Sequence, residues 1–347
     1  MTEATPSGAR GRPTIRDVAR EAQVSIGTVS AVINERGHVA EETRRHVLRI
    51  IAELGFEPNG SARSLKRGRI SSIGFVVPDL GNPFFAAVAE GIHAGIADND
   101  ILLMLCITGS LTEREEYYAR IMRTRRLDGV IYLSGTGLPS PALLELAKSG
   151  SVVFVDEILP GIEIPFVCSN NLAGARGIAR HVIDRGHRRL AIIGGPQRLW
   201  TSEQRLAGFR ESIASAGLDP DAAAYFGGDY GEQSGYRGAA EFLSGDRSHW
   251  PSAILCANDM MAIGVMRYCR EAGISIPGEL SLTGFDDIAG ARFLDPSLST
   301  VAQPADLMGK AAAELLLHRM GVREAPPETT RFMTTVCIRE SVAAPVS

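Results

Sequence analysis

Between residues 13 and 56 apolar positions recur every three or four residues, and the rhythm breaks twice. Ile15, Val18, Ala19 and Ala22 form one stripe, with Arg16, Asp17, Arg20 and Glu21 opposite, which is the layout of an amphipathic helix. Gln23-Val24-Ser25 follows as a turn, and Ser25 can accept a hydrogen bond from a free N–H of the next helix. The spacing predicts that second helix over Ile26 to Asn34, burying Val29, Val32 and Ile33 and turning out Ile26, Gly27, Thr28 and Ala31. A third helix, about Glu41 to Leu54, faces inward through Val47, Ile50, Ile51 and Leu54 and stops at Gly55. Such a bundle is too small to be an enzyme. Its second helix, small or uncharged at the exposed N-terminal positions, can approach base edges in a major groove.

From Ser71 the period changes. Short apolar runs at Ile73 to Val77, Leu102 to Cys106, Gly129 to Leu133, Val152 to Val155, Leu190 to Ile193, Ala253 to Cys256 and Ser281 to Phe285 read as strands. Helical patterns separate them: Phe84 to Asp98, Glu113 to Arg125, Ala142 to Ser149, Ala173 to Arg185, Ser202 to Ala216, Gly231 to Leu243 and Met261 to Ala272. Continuous apolar strands alternating with helices predict an α/β fold of parallel sheets covered on both faces. Seven units exceed one compact open sheet, so two lobes with a cleft between them are expected. An amphipathic helix over Ala305 to Met320 and a strand over Thr334 to Arg339 complete the chain.

Ligands of open α/β sheets bind beyond the carboxyl ends of the strands, and polar side chains gather there. Asn82, Phe84 and Phe85 follow the first strand, Asp156 and Glu157 the fourth, and Arg205 the fifth, with Thr201 nearby. Tyr230 lies beside Asp229 in a later loop; Asn258 and Asp259 follow the sixth strand, Asp286 and Asp287 the seventh, and Gln303 precedes the last helix. Carboxylates, amides and a guanidinium make the paired hydrogen bonds that vicinal hydroxyls require, and aromatic faces pack on the C–H surface of a sugar. Singly, each has a plainer use, as a helix cap or a core residue. The set points to a small carbohydrate.

Residues 57–69 carry one large apolar side chain, Leu65, among cationic and small ones, so the segment has little core of its own and orders only against a partner. With Ala62, Arg63 and Lys66 beside it, Leu65 suits an apolar wedge between base steps of a minor groove. Residues 1–12 read as a disordered leader, in which Arg10-Gly11-Arg12-Pro13 resembles the core of an AT-hook.

Thr14-Ile15-Arg16-Asp17-Val18-Ala19, Val24-Ser25-Ile26-Gly27-Thr28-Val29-Ser30, Glu41-Glu42-Thr43-Arg44, Leu54-Gly55-Phe56-Glu57-Pro58-Asn59 and Ala62-Arg63-Ser64-Leu65 together resemble the LacI/GalR family of bacterial transcription regulators. The resemblance implies a helix-turn-helix headpiece over 13–57, a hinge helix and linker over 58–69, and an effector-binding and dimerisation core over 70–347. The core's N-lobe would take about 70–170 and 304–330, its C-lobe about 171–303 and 331–347. Also implied are a homodimer on a pseudo-palindromic double-stranded operator, and DNA contacts from Thr14, Ser25, Ile26, Gly27, Thr28, Asn34, Ala62, Arg63, Leu65 and Lys66. Many members place a large polar side chain where this chain has Ala31. The core is similar to ribose-type periplasmic sugar-binding proteins at Asn82-Pro83-Phe84-Phe85, Arg205, Asn258-Asp259, Gly284-Phe285-Asp286 and Gln303. Glu157 stands where those proteins typically carry Arg, which leaves a polyol, an amino sugar or another monosaccharide as the effector. A nucleobase or other small metabolite is the alternative; the purine-responsive branch has a cationic side chain where this chain has Leu199.

Charge agrees with this division. Twelve Lys and Arg against eight Asp and Glu give +4 over residues 1–69, while 24 against 32 give −8 over the other 278 of the 347 residues. Cys106, Cys168, Cys256, Cys269 and Cys337 show no metal-ligand spacing and read as reduced cytoplasmic thiols, and the resemblance implies a bacterial, nucleoid-associated protein. No run approaches the roughly 20 apolar residues of a membrane span, and no signal peptide is evident. An enzyme on the same layout lacks its motifs: no GxGxxG after a strand, no GxxxxGK[ST], no GxSxG, no HExxH. Neither cofactor nor metal is expected.

Overall fold

The computed structural model describes residues 13–33, 37, 39–56, 72–124, 127–148, 150–327 and 330–345. The expectations for the leader, for Asn34 and for Ala62, Arg63, Leu65 and Lys66 fall outside these residues. The chain divides into two compact units, Met1–Ser71 and Ser72–Ser347.

In the first unit, α1 (Ile15–Glu21), α2 (Ile26–Ile33) and α3 (Glu41–Leu54) enclose Val18, Ala19, Ala22, Val29, Val32, Val47 and Ile50. Their ends are set locally. The Thr14 backbone N–H and hydroxyl both donate to Asp17 Oδ2 at 2.9 and 2.6 Å, fixing the entry to α1. Gln23, at φ +55°, turns the chain back, and Ser25 Oγ accepts from Thr28 N at 3.0 Å to cap α2. Gly55, at φ +62°, ends α3 in the left-handed conformation that glycine takes without a Cβ clash.

The second unit holds two parallel sheets. The first lobe contains β1 (Ser72–Val77), α4 (Pro83–Ile96), β2 (Leu102–Ile107), α5 (Thr112–Thr124), β3 (Gly129–Tyr132), α6 (Pro141–Ala147), β4 (Val152–Val155) and β5 (Phe166–Ser169). The second contains α7 (Asn171–Asp184), β6 (Leu190–Gly194), α8 (Trp200–Ser215), β7 (Ala224–Gly227), α9 (Glu232–Phe242), β8 (Ala253–Cys256), α10 (Asp259–Ala272), β9 (Ser281–Thr283) and β10 (Thr300–Ala302). The chain returns with α11 (Ala305–Arg319) and β11 (Arg331–Phe332) and ends on β12 (Thr335–Cys337), which pairs antiparallel with β10. Strand order is β11-β5-β4-β3-β1-β2 in the first lobe and β7-β6-β8-β9 in the second.

Three crossings connect the lobes: Ser169 to Asn171, Ala302 to Ala305, and Phe332 to Thr335. Arg331 and Phe332 still pair with Cys168 and Ser169, so the last crossing falls just past residue 332 rather than at about 330. α11 belongs to the first lobe because Gly91 and Gly309 let it meet α4 backbone to backbone; a Cβ on Gly309 would stand 2.1 Å from the Val88 carbonyl oxygen. The expectation of sheets covered on both faces fails at β2, an edge strand with Leu102, Met104, Leu105 and Ile107 exposed.

Candidate functional site

The residues expected at the strand ends converge on a crevice between the lobes of the second unit, with an empty volume of about 490 Å³ that includes open solvent. Asn82, Phe84, Phe85, Asp156 and Glu157 line it from the first lobe; Arg205, Tyr230, Asn258 and Asp286 line it from the second. Several sit on backbone that side chains seldom adopt: Asp156 at φ +65°, Tyr230 at +67° and Asp286 at +112°. Such conformations cost about 1–3 kcal/mol each and persist where the surroundings enforce them.

Arg205 organises the second-lobe wall. It is 3% exposed, donates from Nε to Asn171 Oδ1 at 2.8 Å and from Nη1 to the Ala257 carbonyl at 2.6 Å, and lies 4.0 Å above the Phe285 ring. Nη1 is also 3.3 Å from Asp286 Oδ1. Burial opposes its charge, but Tyr230, Asp286, Asp156 and Glu157 together raise its pKa. Asp286 further accepts from Gln303 Nε2 at 2.7 Å. Burial pushes its carboxyl up to about 6 against the pull of Arg205.

The first-lobe wall is acidic. Burial raises Asp156 to about 7, opposed by Arg205 and reinforced by Asp286. Burial and then the Asp156 charge raise Glu157 to about 8. Thr201 reaches over from α8 to donate its hydroxyl to Glu157, and its backbone N–H points at the same carboxylate at 3.3 Å.

Two expected residues stand behind the wall rather than in it. Thr201 touches Glu157 and the Tyr230 hydroxyl, while Gln303 holds Asp286 and accepts from Ser169 at a crossing. Asn258 divides its amide between capping α10, where Met261 N donates to it at 2.9 Å, and donating to the Tyr230 carbonyl. Asn82 likewise caps α4 through Phe84 N at 3.0 Å. Asp259 and Asp287 turn away from the crevice, the first bonded to Thr300 and the second to Arg339 at 2.6 Å.

Sequence reasoning missed two supporting residues. Asn171 fixes the Arg205 guanidinium, and it follows β5, a strand too short and too close to Pro165 to stand out. Glu115, 1% exposed, holds the crevice-lining loop 134–136 by accepting from Gly135 N at 2.7 Å and Thr136 Oγ1 at 2.9 Å. Nothing in the charged run Thr112-Glu113-Arg114-Glu115-Glu116 marks it as buried.

In the first unit, Ser25, Ile26 and Gly27 are exposed along the start of α2, and Thr28 is half-buried with its hydroxyl 2.9 Å from Ser25 Oγ. Thr14 is exposed, but its hydroxyl is engaged by Asp17. Ile26, at 47% exposure, is the apolar tip of this surface.

Residues 14–59 match the family model of bacterial regulatory proteins, lacI family, and residues 179–342 that of a periplasmic binding protein-like domain. The chain is 33% identical to the HTH-type transcriptional repressor PurR of Escherichia coli O1:K1 / APEC over 333 residues, spanning 95% of this chain and 97% of the relative. The chain belongs to the LacI family. It is therefore a DNA-binding transcriptional regulator with a helix-turn-helix unit and a two-lobed core. Among solved structures of the family, a Lac repressor dimer bound to operator and the anti-inducer ONPF superposes with a TM-score of 0.81 at 24% identity, covering 96% of this chain and all of that one. A complex of the transcriptional regulator CelR with cellobiose gives 0.68 at 30% identity, covering 95% and 100%.

Proposed function

We propose that this LacI-family protein is a repressor, that it acts in the bacterial cytoplasm as a homodimer on a pseudo-palindromic operator, and that a small carbohydrate held between its lobes controls its grip on DNA. The observation that carries the effector reading is the crevice wall, where buried carboxylates, amides and one guanidinium from both lobes stand beside the aromatic rings of Phe84 and Tyr230. That chemistry matches a ring of hydroxyls with an apolar C–H face. The cellobiose bound by CelR favours the same class. Dimerisation is supported by the exposed apolar residues of β2, an edge strand that a second copy can cover.

Closing the crevice on a ligand rotates one lobe on the other and, in a dimer, alters the separation of the two points from which the headpieces depart. The ligand shifts DNA affinity only by its differential affinity for the two arrangements. Ser25, Ile26, Gly27 and Thr28 read base edges, and Ala62, Arg63, Leu65 and Lys66 engage the minor groove. The test is fluorescence anisotropy on a selected palindromic operator, titrated with and without a panel of monosaccharides and nucleobases. A sugar that moves the operator dissociation constant supports the reading, and a response to nucleobases alone replaces it.

A further inference from the structure

The acidic side of the crevice is not balanced by the protein's own donors. Asp156 sits at the centre of a three-residue turn closed by Glu157 N donating to the Val155 carbonyl at 2.8 Å, and its φ of +65° belongs to the rarer, more strained form of that turn. The turn delivers two successive carboxyl groups to the crevice, 5% and 3% exposed. Asp156 Oδ1 is buried and has no hydrogen-bond partner among the described residues. Among the described residues, Glu157 is served only by Thr201. The nearby guanidinium is committed elsewhere, to Asn171, the Ala257 carbonyl and Asp286. Three buried carboxyl groups therefore face one cation.

A neutral sugar supplies hydroxyl donors to these oxygens but no charge. A metal ion is not indicated, because among the described residues no three His, Cys, Asp or Glu side chains are grouped to hold one. An ammonium group supplies three donors and one positive charge in a compact head. We propose that the effector is an aminated polyol, such as an amino sugar, whose protonated amine docks against Asp156 and Glu157 while its hydroxyls meet Arg205, Asp286 and the Asn258 side of the crevice. The proposal rests on the carbohydrate reading above and narrows it.

Proton balance gives a second signature. With Arg205 committed to Asn171, the Ala257 carbonyl and Asp286, burial outweighs its pull and holds protons on Asp156 up to about pH 7 and on Glu157 up to about pH 8. An arriving ammonium stabilises the carboxylates, so those protons leave for solvent and no covalent bond changes. The other titratable groups facing the pair are Arg205, Tyr230, Asp286 and Cys168. Burial raises Tyr230 beyond the working range and Cys168 to about 11, leaving Asp286, near 6, as the one further group that titrates with them.

The experiment is titration calorimetry of the full-length protein at pH 7 with matched pairs: glucosamine and glucose, galactosamine and galactose, 1-amino-1-deoxysorbitol and sorbitol, plus N-acetylglucosamine and guanine. The amine of at least one pair is expected to bind ten-fold or more tighter than its neutral partner, and N-acetylation to abolish that gain. Binding should release protons to the buffer, seen by comparing buffers of different ionisation enthalpy, and weaken as pH falls from 8 to 5.5. Asp156→Asn should erase the amine preference; the wild-type pH profile and proton release stand whether or not that variant folds. Equal or tighter binding of the neutral partners overturns the amine proposal and leaves the carbohydrate reading in place. Binding of guanine alone, or of nothing in the panel, overturns both.

Discussion

Thr201 and Glu157 tie the lobes together: a hydroxyl on the first turn of α8 donates to a carboxylate on the loop after β4. Both residues are almost fully buried, so the bond operates where water does not compete. Thr201→Val preserves shape and removes the hydroxyl, leaving a buried carboxylate with one backbone donor at 3.3 Å. Such a loss costs about 1–3 kcal/mol. The expected outcome is a lower melting temperature of the ligand-free protein and a larger radius of gyration in solution scattering. An unchanged melting temperature would show that the hydroxyl does not hold the crevice.

Stability against pH should carry the mark of the acidic wall. Asp156, Glu157 and Asp286 have folded pKa values near 7, 8 and 6, above their ordinary values of 3.8, 4.5 and 3.8. Between those limits the folded state binds more protons than the unfolded one, so these groups favour folding at acid pH and lose that contribution as pH rises from about 4 to about 8. Half-buried His181 and buried His187, lowered by desolvation, work in the opposite sense. The wall is therefore isolated by difference. Denaturant midpoints measured from pH 5 to 8 should fall more steeply for wild type than for Asp156→Asn, and parallel curves would contradict the assignment.

Two substitutions in the headpiece separate folding from recognition. Val29 is fully buried in a core of few residues, and Val29→Ala should cost about 2 kcal/mol, a large share for a domain of that size. Ile26 is 47% exposed on the same helix. Ile26→Ala should leave the stability within about 0.5 kcal/mol of wild type while weakening or redirecting operator choice in a selection experiment. Equal operator preference in both proteins would remove Ile26 from the reading surface.

The seam between α4 and α11 tolerates no side chain at its crossing. A Cβ at Gly309 meets the Val88 carbonyl at 2.1 Å, and one at Gly91 meets the Asp306 carbonyl at 2.0 Å. Gly309→Ala should therefore destabilise the core by about 1–3 kcal/mol through overpacking, read as a shift in its denaturant midpoint with the headpiece transition unmoved.

The parts legible from sequence were those with local causes. The three headpiece helices follow from their apolar spacing, from Ser25 and from Gly55, and the buried central strands β1, β3, β4, β6 and β8 from continuous apolar runs. β7 escaped because it is an exposed edge strand of four residues, and β10 because its three residues owe their conformation to β12, more than thirty residues away. Missing β5 meant missing Asn171 immediately after it, although the same rule, polar residues at the ends of strands, would have found it. Residues whose roles depend on a distant partner, such as Glu115 under loop 134–136, have no local signal at all.

Gln303 stands in the second of the three crossings, accepting from Ser169 at the first and donating to Asp286 in the crevice. A molecule that competes for Asp286 thus tugs on the pivot itself. On the function proposed above, no relay through the interior of either lobe is needed, because the Asp286 carboxyl and the interlobe crossing share one amide.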